Sequence, residues 1–100
     1  SGLAAYADGS LLLTRPADGD MRRRRLTLYY SADLARTWRE ALVLDEGDAG
    51  YSDLLVLPDG GALVLYAGGY YNGFFAKELR CQTVAREDLA RAVRQTLRPV

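Results

Sequence analysis

One hundred residues carry 13 Lys+Arg and 13 Asp+Glu, so the formal net charge is zero, and there is no His. The length fits one domain or one piece of a larger one, and a hydrophobic fraction of 49% excludes wholesale disorder. Zero His removes His-based acid–base work, Ser-His and Cys-His nucleophile pairs and most zinc sites, and balanced charge argues against a dedicated nucleic-acid binder.

The chain reads as short strands separated by turns. Residues 3–6 are apolar, and Ala7-Asp8-Gly9-Ser10 is a turn signal before a second apolar run over residues 10–14. The two form a hairpin, closed by Pro16-Ala17-Asp18-Gly19-Asp20. Residues 25–31 alternate, with Leu26, Leu28 and Tyr30 on one face and Thr27, Tyr29 and Ser31 on the other. A run over residues 38–44 follows, and Asp45-Glu46-Gly47-Asp48-Ala49-Gly50 is expected to be a loop. Residues 53–57 and 62–66 flank Pro58-Asp59-Gly60-Gly61 as a second hairpin. Residues 68–73 are a loop and residues 79–84 a last strand.

Residues 86–97 change period. Leu89, Val93 and Leu97 recur every four residues, Glu87 stands four before Arg91, and Pro99 is the stop. Charge complements the helix dipole, acidic first and basic last. This is expected to be a packing helix that covers a sheet edge. Crossover helices between strands are absent, so the fold class is all-β. The strands group as four (residues 3–44) and three (residues 53–84). Four-stranded antiparallel units of ~40–50 residues are propeller blades, so the chain amounts to about two. No apolar run reaches the ~18 residues of a membrane helix. Residues 11–13 are too few for a signal-peptide core, and with Ser1 in place of Met the sequence does not say whether this is its natural start. The compartment is not legible. The lone Cys81 cannot close an intramolecular disulfide, and its place in a strand predicts an inert core thiol.

Ser31-Ala32-Asp33-Leu34-Ala35-Arg36-Thr37-Trp38 joins the third and fourth strands. Short polar side chains can accept hydrogen bonds from the amides of their own turn. Trp38 is expected to bury a large ring at the base of the hairpin. The octapeptide resembles the Asp-box, Ser-x-Asp-x-Gly-x-Thr-Trp, of sialidases (neuraminidases) and related BNR-repeat propellers. Ser31, Asp33, Thr37 and Trp38 match, and Ala35 stands where the family has Gly. The stretch Arg23-Arg24-Arg25-Leu26-Thr27-Leu28 looks like the sialidase Arg-x-x-Leu-Thr-x. Tyr51-Ser52-Asp53-Leu54 looks like its Tyr-Ser-x-Leu, with the hairpin to Leu65-Tyr66 following. The resemblance covers nearly the whole chain in the right order.

It implies the C-terminal part of a six-bladed propeller. Residues 1–50 would be one four-stranded blade with its Asp-box at 31–38, residues 51–85 three strands of the last blade, and residues 86–100 a C-terminal helix. The implied parent activity is exo-α-sialidase hydrolysis of terminal sialic acids with retention, through a Tyr nucleophile. A neutral phenol suits this sugar because its anomeric carbon carries a carboxylate that would repel an anion; a base must then activate the phenol. By the resemblance Tyr51 is the nucleophile. Arg23, three before Leu26, is the third of three Arg that grip the substrate carboxylate. Its neighbours Arg22, Arg24 and Arg25 are alternatives for that place.

The other two Arg, the acid/base Asp and the Glu partner of the nucleophile belong to earlier parts of such a chain. Ala67 replaces a Glu that braces an Arg in the family. No cofactor and no metal is implied. The implied partners are a sialylated glycan or other carbohydrate and the remaining blades, with no nucleic acid and no membrane. This segment alone is expected to be inactive. Two other functions stay open: a non-catalytic propeller that binds glycan or protein, and a small structural β domain. A further aromatic stretch, Tyr70-Tyr71-Asn72-Gly73-Phe74-Phe75, reads as a sugar platform or as loop and core.

Overall fold

Apolar runs and turn residues alternate along the chain, and the fold follows them. The computed structural model describes residues 2–17, 24–68 and 78–95. Within these lie β1 (Gly2–Ala5), β2 (Leu11–Pro16), β3 (Arg24–Ser31), β4 (Arg39–Val56), β5 (Ala62–Gly68), β6 (Glu78–Val84) and α1 (Arg86–Gln95). Neighbours in sequence are neighbours in space, in the order β1-β2-β3-β4-β5-β6, and every described pair is antiparallel. The protein is therefore all-β with one short C-terminal helix.

The expected four-plus-three grouping is present, but six strands serve it instead of seven. The expected loop over residues 45–50 is instead the middle of the 18-residue β4, so the boundary placed at residue 50 falls inside a strand. The first part of β4 pairs with β3 in one sheet, and its last part pairs with β5 in the other. The turn-forming residues stay extended because they keep backbone partners on both sides. Asp45 lies opposite Leu26 and Asp48 opposite Arg24, then Ala49 opposite Gly68. Register shifts on both sides of this stretch bend the strand from one sheet into the other.

The two sheets pack face to face. Leu12, Leu26 and Leu28 of the first meet a core completed by Leu54, Ala62, Val64 and Tyr66 of the second. The contact is closest where β1 lies over the end of β4. A Cβ on Gly2 would stand 3.0 Å from the Leu54 nitrogen and 2.8 Å from Thr14 Oγ1. Thr14 and Ser52 share a hydroxyl–hydroxyl bond of 2.9 Å across the same gap.

The outward faces are also apolar. Leu55, Leu63 and Thr83 lie side by side on the second sheet, as do Asp53, Leu65 and Cys81. Leu55 is 58% exposed and Leu79 74%. On the first sheet, Leu3, Leu13 and Tyr29 form a cross-strand row that runs from the 62% exposed Leu3 to the buried Tyr29. Cys81 is thus exposed on an outward face, not in the core. Cys81 shares its face with Leu79 and Thr83, while the polar Arg80 and Gln82 turn inward to Asp45, Tyr66 and Leu44, so the alternation of β6 runs opposite to its burial.

Both tight hairpins form as expected. Asp8 Oδ1 accepts from the Ser10 amide at 2.9 Å, and Asp59 Oδ1 accepts from the Gly61 amide at 2.9 Å. Helix α1 places Leu89 in the core and half-buries Val93. It packs against β4, which is an edge strand of each sheet. Arg91 pairs with Asp88 at 3.6 Å, one residue nearer in sequence than the expected Glu87. Leu97 and Pro99 lie outside the described residues.

Candidate functional site

Alternating strand direction sorts the loops to two ends. One end holds the β1–β2 turn, the β3–β4 turn and the β4–β5 turn. The opposite end holds the start of β3, the bend of β4 with Tyr51, the end of β5 and the start of β6.

At the first end, the Ser31–Trp38 segment is a turn closed by its own side chains. Ser31 Oγ accepts from the Ala35 amide at 3.0 Å and donates to Asp33 Oδ1 at 3.0 Å. Asp33 Oδ1 accepts the Thr37 amide at 2.8 Å, and Oδ2 accepts the Thr37 hydroxyl at 2.5 Å. The bonds from the Thr37 hydroxyl and amide are the main cause that lowers the Asp33 carboxyl to about 2. That contribution is fully present above the ordinary carboxyl range and is lost as pH falls through about 2.

Leu34 and Ala35 both take positive φ, 61° and 68°. For an L-residue this left-handed conformation is strained, and glycine relieves it. Ala35→Gly is therefore expected to raise the unfolding free energy by about 1 kcal/mol. Urea denaturation of the two proteins measures it. Trp38 corrects an expectation, because its ring is only half-buried. It stands at the mouth of the turn, just before β4 begins at Arg39 and after the exposed residues 34–37. It does not lie between the two sheets.

At the opposite end, Tyr51 is 72% exposed where β4 enters the second sheet. Arg23 lies outside the described residues, as do Arg22 and the aromatic stretch 70–75. Its neighbour Arg24 opens β3 and pairs across to Asp48, three residues before Tyr51. The backbone thus brings the start of β3 and Tyr51 to the same end of the two sheets. Arg25 takes φ 59° at a register shift, and its guanidinium faces Glu40 at 3.9 Å and Glu46 at 3.7 Å.

Between the sheets at this end runs a polar network that sequence reasoning missed. Tyr66 donates its phenolic proton to Asp45 Oδ2 at 2.9 Å, and Arg80 Nη1 donates to the same oxygen at 2.8 Å. Gln82 Nε2 donates to the Tyr66 oxygen at 2.8 Å and to the Leu44 carbonyl at 2.7 Å. Arg80 Nε donates to Glu78 at 2.7 Å. Hydrogen bonds to Glu78 and Asp45 hold the Arg80 guanidinium charged well above its ordinary value. Burial would raise the Asp45 carboxyl, but bonds from Gly47, Tyr66 and Arg80 outweigh it and lower it. Burial raises the Tyr66 phenol, and the Asp45 carboxylate adds to that shift.

Tyr66 is buried, so this phenol cannot meet a substrate; the network fixes the bend of β4 that presents Tyr51. Ala67, opposite Leu79, brings no acceptor, and Glu78 instead holds Arg80 on its own strand. Among the described residues no cluster of three or more His, Cys, Asp and Glu could hold a metal. Scans of family models, of curated proteins and of solved structures each returned no match.

Proposed function

We propose that the chain is a two-sheet segment of a sialidase-type propeller, whose parent hydrolyses terminal sialic acids through Tyr51. The carrying observation is the Ser31–Thr37 turn, in which Asp33 collects the Thr37 amide and hydroxyl. That use of Asp and Thr is what the Asp-box pattern requires of a blade's outer turn.

Two features add support. A sheet apolar on both faces is built to be covered on both, and the second sheet here has one covered and one exposed apolar face. A blade in the middle of a ring has that character. Tyr51, 72% exposed where β4 enters the second sheet, stands on the surface where a sugar can approach it. The neutral phenol would attack the anomeric carbon, and Arg23 would hold the sugar's carboxylate.

The segment by itself holds neither the acid/base Asp nor the Glu partner of the nucleophile. Purified residues 1–100 are therefore expected to show no turnover of a fluorogenic sialoside, while the full-length parent turns it over. Turnover by the segment, lost in Tyr51→Phe, would refute the assignment of the missing groups. A second reading, a non-catalytic glycan- or protein-binding propeller, draws on Ala67, which offers no acceptor where the family braces an Arg. A parent that binds sialoside without hydrolysing it decides for that reading.

A further inference from the structure

We propose a second ligand site at the end of the molecule opposite Tyr51, a groove between α1 and the β1–β2 turn that takes a small organic anion with an apolar body. The groove is open on one side and offers about 570 Å³, within the size range of a small-molecule site. Its floor is apolar, formed by Leu12 from β2 and by Leu89, Ala90 and Val93 from α1. Few polar groups reach it, and their charges are unequal.

Arg86 and Arg94 line the helix side, and Asp8 alone lines it with a carboxylate. Among the described residues neither arginine makes an ion pair. Asp8 is already engaged, since its Oδ1 accepts both the amide and the hydroxyl of Ser10, at 2.9 and 2.6 Å. The groove therefore offers guanidinium donors in excess, and a carboxylate satisfies them with paired bonds.

Arg86 is placed rather than free to wander. Its stem lies on Gly60, where a Cβ would come within 3.0 Å of Arg86 Cδ, and Gly60 holds φ 90°. The Gly60 carbonyl in turn accepts the Tyr6 hydroxyl at 3.0 Å. Tyr6 and Tyr30 wall the groove near this point. A ring or short acyl body would lie between these tyrosines and the helix, with its anionic end at Arg86.

The probe is 4-phenylbutyrate, compared with the neutral 4-phenylbutanol, in amide chemical-shift titrations of the 100-residue chain. Saturable shifts are expected at residues 8–12 and 89–93 with the carboxylate. Binding of the alcohol should be about tenfold weaker, the worth of one charge-assisted bond. Arg86→Gln should weaken the carboxylate about tenfold and leave the alcohol unchanged. Ala90→Trp, at an exposed helix position, should fill the groove and abolish both. Equal binding of acid and alcohol, shifts confined to the outward sheet faces, or no saturable shifts would overturn the proposal.

Discussion

Tyr51→Phe in the full-length parent is expected to lower sialoside turnover by at least about a thousandfold, with KM little changed. The substitution removes one oxygen, the proposed nucleophile, and keeps the ring. Tyr51 is 72% exposed and stands outside the core cluster, so removing its hydroxyl leaves the core unchanged. Arg23→Lys should behave differently. A point charge replaces a paired donor, so KM rises while the phenol still attacks. If Tyr51→Phe keeps full turnover, the nucleophile lies elsewhere, whatever the fold.

Leu28→Ala is expected to lower the unfolding free energy by about 2–5 kcal/mol. Leu28 is fully buried in the central part of β3, flanked by Thr14 and Leu42. Against a total stability of about 5–15 kcal/mol for a domain, that loss is large. The companion variant is Leu55→Ala. On the outward face of the second sheet it should cost the 100-residue chain about 0.5 kcal/mol or less. In the parent, with a further sheet over that face, it should cost about as much as Leu28→Ala. Thermal or urea unfolding of the four proteins reads both values. Equal, small costs of Leu55→Ala in segment and parent would mean that nothing covers the face.

Local chemistry made much of this fold legible. The Asp8 and Asp59 turns, the alternation of β3 and the periodicity of α1 are all short-range signals. The bend of β4 was not. Asp45-Glu46-Gly47-Asp48-Ala49-Gly50 has the composition of a loop, and only pairing to β3 on one side and β5 on the other keeps it extended. The network around Tyr66 was hidden for a related reason. Asp45 and Arg80 stand 35 residues apart, and Asp45 and Tyr66 21 apart. Tyr66 in a dense apolar run reads as core, and its ring is core; its hydroxyl is not. Cys81 and Leu79 were misleading because β6 turns its polar Arg80 and Gln82 inward to the Tyr66 network and its less polar face outward, the reverse of what alternation suggests. The turn at Ser31–Thr37 was legible residue by residue, since its bonds span four positions at most. The burial of Trp38 depends on what packs across the turn, which no spacing encodes.

The central claim is that Tyr51 becomes covalently bonded to the sugar. Its most direct test is to trap that bond. The full-length parent is incubated with a fluorinated sialosyl fluoride, whose ring fluorine slows both steps while the anomeric fluoride, a good leaving group, keeps formation of the intermediate faster than its hydrolysis. Proteolysis and mass spectrometry then locate the label. The account predicts a sialosyl adduct on the peptide containing Tyr51, absent in Tyr51→Phe. An adduct on another residue, or none while the sialoside is still being turned over, would contradict it.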